Sequence, residues 1–135
     1  MSKKEGFFFH QKFPAMNELK SQSTLSEAEE MLNTAQEELC RPEEDVVHYN
    51  VCKHAYKAIE KYMTAYLIQH GVHIQNSTSI KELLNQCRNI DPNFKDLDLN
   101  PLMDAEHVDR LMVNLHTALE FIKIAKQTRS LVGLN

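Results

Sequence analysis

The sequence predicts an all-α fold, an antiparallel four-helix up-and-down bundle preceded by an N-terminal arm. Three observations carry that expectation. Only three glycines and four prolines punctuate the 135 residues, far too few for the turns that a many-stranded sandwich or barrel requires. Apolar residues recur at intervals of three and four along most of the chain, which is the period of one helix face. Hydrophobic residues make up 42% and charged residues 25%, a balance typical of chains that fold around one core. The length suits a single domain, divided here into an arm over residues 1–20 and a helical bundle over residues 21–135.

The first helix is expected from about Leu25 to Cys40, because Thr24 and Glu27 have capping-box spacing and Leu25, Ala28, Met31, Leu32, Ala35 and Leu39 share a face. Pro42 breaks it and suits the opening of the second helix, where Glu43, Glu44 and Asp45 follow at the positive end of the helix dipole. The stripe Val47, Val51, Cys52, Ala55, Ile59, Tyr62, Met63 and Tyr66 carries that helix to His70, with Gly71 as its stop. Ser79 and Glu82 form another capping-box spacing, opening a short third helix through Ile80, Leu83, Leu84 and Cys87 that ends before Asp91 and Pro92. Asn93 to Asn100 reads as a loop or single turn. A fourth helix opens at Asn100 and Pro101, or is capped by Asp104, and Val108, Leu111, Met112, Leu115, Leu119, Ile122 and Ala125 carry it over about five turns. Helices of this kind bury their stripes only against one another, hence the bundle.

Composition excludes several function classes. The apolar run Phe7, Phe8 and Phe9 ends at His10 and Lys12, too short for a signal peptide or membrane span, so no membrane partner is expected. Cys40, Cys52 and Cys87 are odd in number and widely spaced, which fits neither a disulfide framework nor a zinc pattern and makes a reducing cytoplasm the expected location. The formal net charge of −4 opposes binding to duplex DNA. Charge nevertheless comes in blocks, acidic before residue 46 and basic from there to Arg88, then acidic to Glu120 and basic to the end. No glycine-rich phosphate loop, nucleophile elbow or dinucleotide fingerprint occurs, and no cofactor is expected.

Few residues stand out as chemistry. His48 and Cys52 have helical i, i+4 spacing, yet a metal centre needs three or four ligands, and no Glu-x-x-His repeat supplies them. Cys52 and Cys87 sit in apolar stripes, where a thiol packs as a small hydrophobe. Lys53, Lys57 and Lys61 recur at i, i+4 and i+8, a basic row suited either to phosphates or to the acids Glu27, Glu30, Glu37 and Glu38 of the first helix. Phe7, Phe8, Phe9 and Phe13 concentrate in the arm and are expected to dock into a groove of the same bundle or of a partner subunit.

The run Ala55, Ala58, Ile59, Glu60, Lys61, Ala65, Leu67, Ile68 and Gly71, within Val51 to Leu84, resembles the HEPN family of small helical-bundle proteins. The closing stretch Leu119, Glu120, Phe121, Ile122 and Lys123 is similar to that family's last helix, whereas Thr78, Ser79 and Ile80 stand where many members begin a short helix with His-Asp-Leu. The resemblance implies a four-helix bundle, a homodimer, a possible nucleotidyltransferase partner of the minimal type in toxin–antitoxin-like modules, and a nucleotide or RNA ligand. Some members are metal-independent RNases that use an arginine, a polar residue and, four to six residues on, a histidine. Arg88 and Asn89 match the first half, but positions 93 to 95 hold Asn93, Phe94 and Lys95. Arg110 and His116 have the spacing, but Leu111 follows the arginine, and on one continuous helix the pair would lie about 120° apart. The reading is therefore a non-catalytic binding and interaction module, with an RNase using Arg110 and His116 across a dimer as the alternative.

Overall fold

The computed structural model describes the backbone of residues 2–105 and 113–134, and the side chains of residues 16–103 and 113–134. It is helical throughout, with no strand among the described residues. The first helix, α1, spans Ser2–Leu39 and runs unbroken through the segment expected to be an arm. Thr24 does not cap it; its hydroxyl donates back to the Lys20 carbonyl at 3.0 Å. The buried stripe of α1 begins at Ser21 and continues through Ala28, Leu32 and Ala35. Ser21 hid this start because it is polar, and it is satisfied in the core by donating its hydroxyl to the Ala65 carbonyl at 2.7 Å.

After Leu39 the chain does not pass straight into the second helix. Pro42 precedes a 3-10 turn, Glu43–Asp45, and Val46 and Val47 are extended before α2 begins at His48. The tie at this corner is the Val47 amide, which donates to the Glu38 carboxylate at 3.0 Å, while Val46 packs against the core. The acids expected to open α2 thus open the 3-10 turn. α2 spans His48–Gln69, antiparallel to α1, as the Ser21–Ala65 and Glu38–Val47 bonds require. Its end is as expected: Gly71 takes φ +80°, its amide reaches the Ile68 carbonyl at 3.0 Å, and the Val72 amide reaches that of Leu67 at 2.9 Å. Such a left-handed cap favours glycine.

α3 spans Ile80–Ile90, with the Ser79 hydroxyl accepting from the Glu82 amide at 3.1 Å, the expected cap. A second 3-10 turn, Pro92–Asp96, follows. It is part of the core rather than a surface loop, since Phe94, Leu97 and Leu99 are buried. Among the described residues the expected fourth helix is not continuous: α4 spans Asn100–Ala105, Val113 and Asn114 are not helical, and α5 spans Leu115–Leu131. Asn114 caps α5 with extended backbone, its Oδ1 accepting from the Thr117 amide at 3.0 Å. An asparagine side chain offering that bond competes with helix continuation, and here it prevails over the apolar period.

α2 is the hub, packed on α1, α3 and α5. Its Val51, Ala55, Ala58, Ile59, Tyr62, Met63 and Leu67 are fully buried. Alanines line the seams, Ala28 and Ala35 from α1 and Ala118 and Ala125 from α5, and small side chains let helix axes approach closely. Glu29 of α1 ties the three helices, accepting from Arg129 Nε at 2.7 Å and Nη2 at 3.1 Å and from the Tyr62 hydroxyl. No described helix is long and apolar enough to cross a membrane.

Candidate phosphate-binding cleft

The lysine row on α2 divides once the chain is folded. Lys57 and Lys61 line a cavity of about 320 Å³ beside α1, whereas Lys53 lies outside it. Lys20 and Thr24 of α1, Glu60, Thr64 and Ile68 of α2, Ile74, Gln75, Asn76 and Thr78 of the segment that joins α2 to α3, and Leu83 of α3 also line the cavity. The Gly71 cap turns the chain out of α2, and the Ser79 cap turns it into α3. Between them the Thr78 amide donates to the Gln75 carbonyl at 3.0 Å. Three lysines therefore share with carboxamides and hydroxyls the lining of a space of small-ligand size.

Carboxylates already hold two of these lysines. Lys61 Nζ is 3.0 Å from Glu27 Oε1, and Lys57 Nζ is 3.7 Å from Glu60 Oε1. Lys20 is paired with no carboxylate among the described residues. The hydroxyls of Thr24 and Thr64 donate to the carbonyls of Lys20 and Glu60, leaving their oxygens as acceptors toward the cavity. Such a site offers ammonium donors to an anion at one side and mixed hydrogen-bonding groups to its uncharged part at the other. The complementarity expected between the row and the acidic first helix is realised only at Glu27. Glu38 instead serves Val47 and Arg41, and Glu30 and Glu37 line a separate open groove along α1.

The remaining candidates separate. Arg88 is committed to structure: Nε donates to the Phe94 carbonyl at 3.2 Å and Nη2 to that of Leu97 at 3.0 Å, holding the second 3-10 turn closed. His116 is exposed in the first turn of α5, and Arg110 lies outside the described residues. Because Asn114 begins α5 anew, the two do not share one continuous helix, and the expected 120° separation does not apply. The side chains of Phe7, Phe8, Phe9 and Phe13 also lie outside the described residues.

Among the described residues no three His, Cys, Asp or Glu side chains come together as a metal site. His48 is half-buried and Cys52 buried. Burial pushes the Cys52 thiol up to about 11 and the Cys87 thiol to about 12, so both stay protonated, as packing residues do. Burial and the Glu29 carboxylate likewise push the Tyr62 hydroxyl well up.

Sequence reasoning missed Lys20, Gln75, Asn76 and Thr78. Lys20 lay in the segment assigned to an arm, and the other three occupy a turn whose path no periodicity predicts. A signal did exist, for Lys20 stands four residues before Thr24 and seven before Glu27, on one helical face. Comparison with known proteins matches the HEPN domain over residues 21–111, an interval holding α2, α3 and the residues named around the cleft except Lys20. No curated protein and no solved structure matches the chain. With two thirds of its residues matched, all-helical architecture and the α2 run in place, the chain belongs to the HEPN domain family.

Proposed function

We propose that this protein is a non-catalytic HEPN binding module that holds a phosphate-bearing ligand of nucleotide size in the cleft between α1, α2 and the α2–α3 segment. The observation that carries the reading is the convergence of Lys20, Lys57 and Lys61 on one cavity of about 320 Å³ that Gln75, Asn76 and Thr78 also line. Lysine ammonium groups bind phosphate as point charges, and carboxamides recognise a base or sugar. In this reading α1, α2, α3 and α5 form an up-and-down bundle, and the module acts as a homodimer beside a nucleotidyltransferase partner, in keeping with the family's habit of dimerising. The phenylalanine-rich N-terminal segment is the proposed contact.

Titration calorimetry with ATP at low and high salt tests the cleft. Lys57→Ala and Lys61→Ala should each weaken ATP about tenfold, the loss of one hydrogen bond to a charged group, and wild-type affinity should fall with salt. Lys53→Ala should leave binding unchanged. Equal ATP affinity in wild type and the Lys57→Ala/Lys61→Ala variant, or no binding by either, sinks the proposal. Sedimentation equilibrium tests the dimer, which a mass near 16 kDa at tens of micromolar would remove.

One observation favours a second reading, a metal-independent RNase. The start of α5 after Asn114 removes the continuous-helix argument against Arg110 and His116 acting on one phosphodiester, within a subunit or across a dimer. Incubation with single-stranded RNA decides it: cleavage lost in an Arg110→Ala/His116→Ala variant would establish the RNase, and cleavage equal in both would mark a contaminant.

A further inference from the structure

We infer that the cleft selects terminal phosphomonoesters over phosphodiesters, and that Glu27 and Glu60 hold its affinity down as built-in competitors for its lysines. The inference rests on the phosphate-binding reading of the cleft. Its basis is the pairing of Lys61 with Glu27 at 3.0 Å and of Lys57 with Glu60 at 3.7 Å, on side chains that line or adjoin the cavity. An incoming phosphate does not meet bare ammonium groups. It must take them from carboxylates already in place.

Charge decides which phosphate can do so. A phosphodiester carries one negative charge, the same as the carboxylate it would displace, so the exchange gains little. A terminal phosphomonoester carries nearly two charges near neutral pH and three acceptor oxygens, enough to satisfy Lys57 and Lys61 together while Lys20 completes the set. The displaced groups return to water at little cost, because the Glu27 side chain is 50% exposed and that of Glu60 28%. The cavity volume fits a nucleoside monophosphate rather than a polymer. Glu27 and Glu60 thus act through the lysines, as competitors of either ester, and the charge of the phosphate itself sets the preference.

The test compares AMP with cyclic 3′,5′-AMP, which share base and sugar and differ in the ester. Calorimetry at pH 7.5 and low salt should show AMP bound at least about tenfold more tightly by wild type, from the extra charge. Glu27→Gln should strengthen both nucleotides by about threefold or more without narrowing the ratio, because a site relieved of one negative charge attracts the dianion at least as strongly as the monoanion. Glu60→Gln provides the same measurement from the other pair. Both nucleotides should be lost together in Lys57→Ala/Lys61→Ala. Cyclic AMP bound as tightly as AMP overturns the selectivity, and affinities unmoved by either glutamate variant while both nucleotides still depend on the lysines overturn the competition. Absence of ATP and both probes from wild type overturns the cleft reading itself.

Discussion

Replacing Glu29 by alanine should destabilise the protein by about 2–4 kcal/mol, and the reasoning behind the figure makes a sharper statement about a second substitution. Glu29 takes two hydrogen bonds from Arg129, and the hydroxyl of Tyr62 donates to it. The ion pair is partly exposed, with side-chain exposures of 36% for Glu29 and 29% for Arg129, so solvent screening limits its share to about 1 kcal/mol or less. Tyr62 is different, for it is fully buried. Without Glu29 its hydroxyl loses its carboxylate partner, and an unsatisfied buried donor costs about 1–3 kcal/mol.

Tyr62→Phe alone removes the donor together with its need and should cost only about 1 kcal/mol. The double variant Glu29→Ala/Tyr62→Phe should therefore be no less stable than Glu29→Ala. Urea denaturation followed by circular dichroism at 222 nm measures all three against a total stability of about 5–15 kcal/mol. If adding Tyr62→Phe to Glu29→Ala lowers stability by a further 1 kcal/mol or more, the orphaned hydroxyl is not the source of the loss and the argument fails.

Acid should expose the same junction. Hydrogen bonds from Arg129 chiefly, and then from Tyr62, hold the Glu29 carboxyl below its ordinary range against the opposing effect of burial. A depressed folded-state pKa contributes stability that is present above the unfolded value of about 4.3 and is lost as pH falls through the folded one, so Glu29→Gln should flatten the stability profile in that acid window. Cys40 is exposed while Cys52 and Cys87 are buried, so a thiol reagent should titrate Cys40 alone in the native protein and the other two only after unfolding. Gly71→Ala should cost about 1 kcal/mol through backbone strain alone, because a Cβ there would meet nothing within 4 Å; an unchanged melting temperature would contradict the left-handed cap.

What the sequence determined by itself is what local backbone physics determines. The stripe of α2, its stop at Gly71 and the Ser79 cap of α3 all depend on residues within a turn or two of one another, and each stands where periodicity and capping chemistry put it. The same local logic erred where a local competitor outweighed the apolar period. Asn114 restarted a helix that Val108 to Ala125 suggested was continuous, though its three-residue spacing to Thr117 was on view, and Ser21 concealed how far back α1 is buried because a polar residue can be core when a carbonyl receives its hydroxyl.

Only the tertiary structure decided which charges meet. Lys53, Lys57 and Lys61 are equivalent along α2, and it is the path of α1 and of the α2–α3 segment that encloses the latter two with Lys20 and leaves Lys53 outside. Glu29 and Arg129 are 100 residues apart, and Arg88, which in sequence resembles half of a nuclease motif, is consumed by the carbonyls of Phe94 and Leu97. Helix formation is governed by neighbours three and four positions away, whereas a site is made by convergence between elements, and that depends on how helices dock and where their connections run.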